Sequence, residues 1–94
     1  MQRLIKEIYI HHDSRRGVKK TYKWLLSEVE ELGVALNRGD STSISEEAAD
    51  VLAWLLSVMN LLDLDLEKAF IDKYGGRCPR CGGKPCRCPY REEP

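Results

Sequence analysis

Apolar residues recur at helical spacing through most of the chain. Over residues 16–37 they alternate in steps of three and four, which places them on one stripe of a helix: Tyr22, Leu25, Val29, Leu32 and Leu36. Residues 44–62 form a second predicted helix that is apolar nearly all round. A helix of that kind lies in the middle of a bundle, covered on several sides.

The N-terminal segment predicts a further helix over residues 3–12, where Leu4, Ile5 and Ile8 have helical spacing. The sequence His11-His12-Asp13-Ser14 then predicts a solvated break, with Asp13 or Ser14 capping the next helix.

Turn and capping signals separate the remaining helices. Gly39 tolerates the left-handed conformation that ends helices, and Ser43 with Glu46 three residues later forms a potential capping box. Asp63 or Asp65 is placed to cap a shorter helix that ends near residue 74. We therefore expect an all-α antiparallel helical bundle over residues 1–76 and a cysteine-rich tail over residues 77–94.

The length and charge of the chain restrict its partners. With 94 residues, of which 43% are hydrophobic, the core is marginal, so we expect a homodimer or a tetramer of paired dimers, a metal, or both. Fifteen basic and fifteen acidic residues give no net charge, which disfavours nucleic acid as a partner. Acidic residues interrupt the longest apolar stretch, so no membrane span is predicted, and without a leader-like start we expect a cytoplasmic protein.

Helical periodicity places the acidic residues of the first long helix on two different sides. At about 100° per residue, Glu28 and Glu31 lie about 60° apart beside the apolar stripe, close to Trp24. Glu30 points to nearly the opposite side, so we expect it to be solvated. Glu28 and Glu31 therefore form a pair.

The second long helix carries a matching polar arc. Glu47, Asp50 and Trp54 share one side, and two helices joined by a short turn run antiparallel, so both acidic pairs can point into one cleft. Clustered carboxylates repel one another unless a cation neutralises them, and oxygen ligands alone suit Mg²⁺ or Mn²⁺. Alternatively, the helix dipole alone favours Glu47 near its N-terminus, and Glu28 and Glu31 are ordinary surface acids.

Three segments together resemble the MazG-like all-α nucleoside triphosphate pyrophosphohydrolases. They are EVEEL at residues 28–32, EAADVL at 47–52 and DLEKAFIDKY at 65–74, and the resemblance extends over roughly residues 9–90. It implies an enzyme that hydrolyses a (deoxy)nucleoside triphosphate to the monophosphate and pyrophosphate, with a role in clearing the nucleotide pool. It also implies that Mg²⁺ is bound by Glu28, Glu31, Glu47 and Asp50.

Further roles follow from that resemblance. A lysine late in the last helix contacts phosphates in the family, which corresponds to Lys73 here, with Arg77 and Arg16 as other candidates. Glu31 is our candidate to accept the proton of the attacking water. Ser27 departs from the family pattern, which commonly has an acid there, and this puts the orientation of that water in doubt.

Other polar and aromatic residues have two interpretations each. Asn60 either contacts the sugar or phosphates of the substrate or serves the core or a helix cap. Trp24 and Trp54 share the faces of the carboxylates, so they either stack on a base or belong to the core. The basic run Arg15, Arg16, Lys19, Lys20 and Lys23 is either a solvated helix face or a patch that attracts phosphates.

All four cysteines fall in the tail, within the segment CPRCGGKPCRC. Cys78, Cys81, Cys86 and Cys88 can close a tetrahedral zinc site, and the Gly82-Gly83 pair permits the tight reversal that it needs. Such a site has no open position, so we expect structural Zn²⁺ that folds the tail, in place of disulfides, an iron–sulfur cluster or a redox site.

Two other classes of protein remain open. A non-catalytic zinc-bearing helical module could bind nucleic acid or protein through a basic surface that comprises Arg77, Arg80, Lys84, Arg87 and Arg91. A di-iron carboxylate bundle would need a Glu-x-x-His spacing, which the sequence lacks.

Overall fold

The computed structural model describes all 94 residues and contains four helices and no strands. The helices are α1 (Gln2–Arg16), α2 (Val18–Arg38), α3 (Ser41–Leu61) and α4 (Leu66–Tyr74). α3 packs against both α2 and α1, whereas α4 makes only marginal contact with the rest. The predicted all-α class is confirmed, and the central place of the apolar helix is as expected. No helix has the length and apolar character needed to cross a membrane.

The first helix is longer than predicted. The expected break at residues 11–14 is wrong, because α1 continues through both histidines as far as Arg16. The two histidine rings are tilted by 39°, with centroids 3.9 Å apart. Asp13 does not cap α2. Its carboxylate is buried and paired with Arg16, and the chain turns instead at Gly17, where φ is +86°. Only glycine adopts that backbone conformation without strain, so the turn is fixed there.

The α2–α3 turn follows the predicted stop but not the predicted start. Gly39 ends α2 in the left-handed conformation (φ 73°, ψ 15°), as expected. The capping box is wrong, because α3 begins at Ser41 after Asp40, and the Ser43 hydroxyl donates a hydrogen bond to the Asp40 carboxylate at 2.7 Å. With Ser43 already inside the first turn, Glu46 cannot take the reciprocal capping position.

Hydrogen bonds from α1 and from the N-cap residue fix the position of the start of α4. Asp65 caps it as predicted, with Oδ1 accepting from the backbone N–H of Lys68 at 3.1 Å. The Gln2 side chain donates to the Leu64 carbonyl at 2.6 Å and accepts from Leu66 N–H at 3.0 Å. Asn60 donates to the Gln2 carbonyl at 3.1 Å, so its visible contact joins α3 to α1.

The core of a single chain is thin. Six of the 94 residues are buried, and Ala35 and Leu56 are the only buried apolar side chains. The expectation that α3 is covered on several sides is met only at Leu56 and Ser57, because Ala48, Ala49 and Leu52 are exposed. Along α2, the exposed apolar side chains at seven-residue spacing, Tyr22, Val29 and Leu36, share one face. This chain therefore leaves much apolar surface in contact with solvent.

Candidate functional site

The antiparallel α2–α3 pair brings three predicted carboxylates together. Glu28 on α2 and Glu47 and Asp50 on α3 each offer one oxygen, and these oxygens lie within 4.8 Å of one another. The i, i+3 spacing of Glu47 and Asp50 puts both on the α3 face that meets α2. We call Glu28, Glu31, Glu47 and Asp50 the acidic cluster, with Glu31 at its edge.

Two oxygens of the acidic cluster are buried without a partner. Neither Glu28 Oε2 nor Glu47 Oε2 has a hydrogen bond in the structure. Burial raises the pKa of Glu28, and the negative charges of Glu31 and Asp50 raise it further. Hydrogen bonding from Glu47 and from the Trp54 indole, which lies close to the Glu28 carboxylate, lowers that pKa in part.

Glu31 and Glu47 are also coupled. Burial raises the pKa of Glu47, and Glu31 raises it next, through its charge and through a hydrogen bond that Glu47 can donate only when protonated. Glu31 itself is exposed and lies outside the group of three close oxygens. Its position suits a group that exchanges protons with solvent beside the cluster.

The donor set fits a hard divalent cation. All the donors are carboxylate oxygens, which Mg²⁺ and Mn²⁺ prefer, and two of them are buried and unpaired. A cation there would remove both the mutual repulsion and the unmet hydrogen-bonding capacity. A plain acidic surface patch would leave the buried Glu28 Oε2 and Glu47 Oε2 atoms without a partner.

Aromatic side chains border the acidic cluster. Trp24 on α2 and Trp54 on α3 stack with ring centroids 5.5 Å apart and planes 11° from parallel. The Arg16 guanidinium lies 4.8 Å from the centre of the Trp54 ring and is ion-paired with Asp13 at 2.8 Å. Asp13 is a site residue that was not predicted from the sequence. The i, i+3 pairing of Asp13 with Arg16 was the available signal, and the predicted helix break concealed it.

The other predicted substrate contacts lie apart from the acidic cluster in this chain. Lys73 Nζ lies 5.6 Å from the Tyr74 ring centre on α4, and no contact joins Lys73 or Arg77 to the carboxylates. Asn60 lies ten residues beyond Asp50, which is about 15 Å along the helix. Ser27, at the position where an acid was expected, donates its hydroxyl to the Trp24 carbonyl at 2.8 Å, and Glu30 is exposed.

The tail brings its four cysteines into a second cluster. The Sγ atoms of Cys78, Cys81, Cys86 and Cys88 lie within 4.8 Å of one another. Cys78 and Cys88 are separated by 3.8 Å, and Cys81 and Cys86 by 3.9 Å. A tetrahedral ion with metal–sulfur bonds of about 2.3 Å separates its ligands by about 3.8 Å, so the spacing fits one metal ion.

Backbone N–H groups favour the thiolate form of Cys81, which is the form that binds a metal. The N–H groups of Arg87 and Gly83 donate to Cys81 Sγ at 3.2 and 3.4 Å, and they lower the pKa of Cys81 to about 6. Gly83 is buried, and a Cβ there would lie 2.7 Å from the Pro85 carbonyl oxygen. Glycine is therefore required for the tail to fold around the cysteine cluster.

These features define an all-α protein with an interhelical acidic site suited to a hard cation. Residues 16–82 match the model of the MazG nucleotide pyrophosphohydrolase domain. The match covers more than half of the chain and all four acids, and the chain belongs to this family, as the sequence resemblance predicted. Asp13, Cys86 and Cys88 lie outside the matched residues.

A curated relative supports the assignment. Over 52 residues the chain is 38% identical to a phosphoribosyl-ATP pyrophosphatase of Methanosphaerula palustris (strain ATCC BAA-1556 / DSM 19958 / E1-9c). The alignment covers 55% of this chain and 52% of the relative, so the chain spans about half the length of the curated relative that it matches.

Proposed function

We propose that the protein is a Mg²⁺-dependent nucleoside triphosphate pyrophosphohydrolase, which converts a (d)NTP to the (d)NMP and pyrophosphate. The observation that carries the proposal is the pair of buried, unpartnered oxygens, Glu28 Oε2 and Glu47 Oε2, in a cluster of carboxylates on facing helices. Membership of the MazG nucleotide pyrophosphohydrolase domain family supports the reaction type.

The acidic cluster would hold the cation through Glu28, Glu31, Glu47 and Asp50. When bound, Mg²⁺ (or Mn²⁺) neutralises phosphate oxygens and lowers the pKa of a coordinated water. Glu31 is the proposed general base, since it is exposed and sits at the edge of the cluster, where its carboxylate can accept a proton from water and pass it to solvent.

The Trp24–Trp54 stack would receive the base. Both rings are partly accessible, with Trp24 51% exposed, so an aromatic surface faces solvent beside the acidic cluster. In the core interpretation these rings would be buried. A planar base packs well against such a surface and needs no particular hydrogen-bonding pattern. Stacking on the two tryptophans therefore does not determine which base is bound.

Within this single chain, no contact joins the acidic cluster to Lys73, Arg77 or Asn60. We propose that these residues contact the substrate in an assembled oligomer. Homodimerisation, or assembly of dimers into a tetramer, would cover the exposed apolar faces of α2 and α3, which supports an oligomer. Light scattering on the purified protein should give a mass of two or four times 10.8 kDa. A monomeric mass would contradict this part of the proposal.

We assign structural Zn²⁺ to the cysteine cluster. Sulfur separations of 3.8 and 3.9 Å and backbone N–H donors to Cys81 support a closed tetrahedral site. All four cysteines are free in the structure, which disfavours a disulfide framework. Free thiols persist in a reducing compartment, so we also propose a cytoplasmic location.

A substrate panel tests the function. Pyrophosphate release should be measured with Mg²⁺ and with Mn²⁺ across normal and modified (d)NTPs, together with phosphoribosyl-ATP, which the name of the relative makes a candidate. Turnover of one substrate class identifies the base and sugar preference. Absence of metal-dependent turnover throughout, with salt-dependent binding to DNA or RNA, would favour the non-catalytic module instead.

A further inference from the structure

A buried ion pair joins Arg16, a candidate phosphate contact, to Asp13, which has no role in the functions assigned above. Asp13 on α1 is 1% exposed, and its Oδ1 accepts a hydrogen bond from Arg16 Nη1 at 2.8 Å. Arg16 Nη1 also lies 3.4 Å from the hydroxyl of Thr21, which is fully buried in the first turns of α2. The pair therefore fixes one end of the guanidinium at the α1–α2 junction.

The fixed guanidinium lies near the acidic cluster, and Trp54 contacts both. Its carbon lies 4.8 Å from the centre of the Trp54 ring, and the Trp54 indole lies close to the Glu28 carboxylate. Arg16 thus lies one side chain away from the cluster. The other ion pairs of the protein, Arg3 with Glu7 and Lys68 with Asp72, are exposed pairs within single helices.

Arg16 keeps most of its hydrogen-bonding capacity free. A guanidinium has five N–H donors, and both contacts of Arg16 within the protein use Nη1. The donors on Nε and Nη2 make no hydrogen bond, and the side chain is 23% exposed. Such a group, held at one nitrogen and open at the others, matches the geometry of a bidentate phosphate contact.

The cost of the arrangement argues against a purely structural role. Asp13 Oδ2 is buried and has no hydrogen-bond partner, so the carboxylate is desolvated for a single ion pair. Buried ion pairs contribute little net stability compared with apolar residues of the same size. A triphosphate entering a site that already holds four carboxylates needs fixed positive charge, and Arg16 can supply it.

We propose that Asp13 is a positioning residue for Arg16. The buried ion pair would hold the guanidinium so that its free N–H groups make the phosphate contact for which Arg16 is a candidate. The proposal rests on the proposed function for the identity of the substrate. The free edge of the Arg16 guanidinium, which carries the Nε and Nη2 donors, would contact phosphate oxygens and not the base.

Binding of magnesium tripolyphosphate, measured by calorimetry, tests the proposal without requiring turnover. Tripolyphosphate has no base or sugar, so a change in its affinity reports on phosphate contacts. Arg16→Gln should weaken its binding about 10- to 100-fold, the range expected for a lost charged hydrogen-bonding pair. Arg16→Lys, which keeps the charge but not the fork of donors, should recover part of that loss.

Asp13→Asn should weaken tripolyphosphate binding about tenfold, the lower end of what partners of binding residues contribute at comparable sites. In the Arg16→Gln background the same change should have no further effect, because Asp13 acts only through Arg16. A merely structural role would instead make the two losses additive. Arg38→Gln is the matched control, since Arg38 is exposed, forms no ion pair and lies outside the basic run, and it should bind as the parent protein does.

Wild-type protein that does not bind magnesium tripolyphosphate would overturn the proposal, as would a folded Arg16→Gln variant that binds within twofold of wild type. Failure of the enzymatic function is a separate result. It would appear as tripolyphosphate binding that depends on Arg16 in a protein that turns over no nucleotide.

Discussion

Glu28 on α2 and Glu47 on α3 meet across the helical pair, each with a buried Oε2 atom that lacks any hydrogen-bond partner. With Asp50, they place three carboxylate oxygens within 4.8 Å of one another. Like charges at this separation repel one another and destabilise the fold, unless a cation binds between them or one of the carboxylates is protonated. Two predictions concern which of these occurs.

Mg²⁺ should stabilise the folded protein through this cluster. At a concentration one hundred times the dissociation constant, bound ligand adds about 2.7 kcal/mol to the free energy of unfolding. Thermal unfolding with and without Mg²⁺ should show this gain in wild type and lose most of it in Glu47→Gln. Glu30→Gln, which changes an exposed glutamate on α2, should respond to Mg²⁺ as wild type does. An undiminished response in Glu47→Gln would show that the cation binds elsewhere.

The metal-free protein should lose stability as the pH rises. The pKa values of Glu28 and Glu47 are raised in the fold above the ordinary value of 4.5, first by burial and then by neighbouring carboxylates. The folded state therefore binds protons more tightly than the unfolded state, and its extra stability is present below pH 4.5 and disappears as the pH rises through the raised pKa values.

Denaturant unfolding in EDTA over this pH range checks the sign. The free energy of unfolding should fall with rising pH in wild type, and the fall should be smaller in a Glu28→Gln/Glu47→Gln variant. Added Mg²⁺ should remove or reverse the fall, because deprotonated carboxylates bind the cation. A double variant whose stability falls with pH as steeply as that of wild type would contradict the assigned pKa directions.

The acidic cluster was predictable from sequence because it depends only on helical phase. Glu28 and Glu31 on one helix, and Glu47 and Asp50 on the next, needed a short turn and no other tertiary information. The pairing of Asp13 with Arg16 was not predicted, because the sequence of residues 11–14 indicates a helix break and the pair needs a continuous helix. A polar run such as His11-His12-Asp13-Ser14 has the composition of a turn, and only burial of Asp13 shows that it belongs to α1.

The positions of residues that are far apart in the chain could not be predicted from helical periodicity. Lys73 and Arg77 fall on or after α4, and the orientation of that helix depends on contacts by Gln2 with Leu64 and Leu66, about sixty residues away in sequence. The Trp24–Trp54 stack also needed the relative rotation of α2 and α3. Helical periodicity assigns a face to each residue, but it does not give the distance between faces.

Nucleotide binding should change the fluorescence of the protein. Its only two tryptophans are Trp24 and Trp54, stacked beside the acidic cluster. In the variant Asp50→Asn, which we predict to be inactive, or with a non-hydrolysable triphosphate and Mg²⁺, a stacked base should quench this emission. Trp24→Ala should weaken nucleotide binding by about 1–3 kcal/mol, as for other base–aromatic stacks, and leave tripolyphosphate binding unchanged. Equal loss for both ligands would assign Trp24 to the fold and not to base binding.

The purified protein should contain one Zn²⁺ per chain in addition to any Mg²⁺. Cys81→Ser removes the sulfur that accepts two backbone hydrogen bonds, so we expect the zinc content measured by elemental analysis to fall to near zero. Arg80→Ser, within the same turn but without a ligating atom, should retain the metal. An iron signal with visible absorbance, or full zinc content in Cys81→Ser, would contradict the assignment.

Pyrophosphate release from a panel of (d)NTPs, with Mg²⁺ present or chelated, tests the central claim most directly when wild type is compared with Asp50→Asn. Asp50 is exposed, so its replacement by an isosteric amide should leave the fold intact while removing a metal ligand. We predict Mg²⁺-dependent release of pyrophosphate and the nucleoside monophosphate by wild type, and a loss of about 100-fold or more in Asp50→Asn. Release that persists unchanged in Asp50→Asn, or that does not require a divalent cation, would contradict the account.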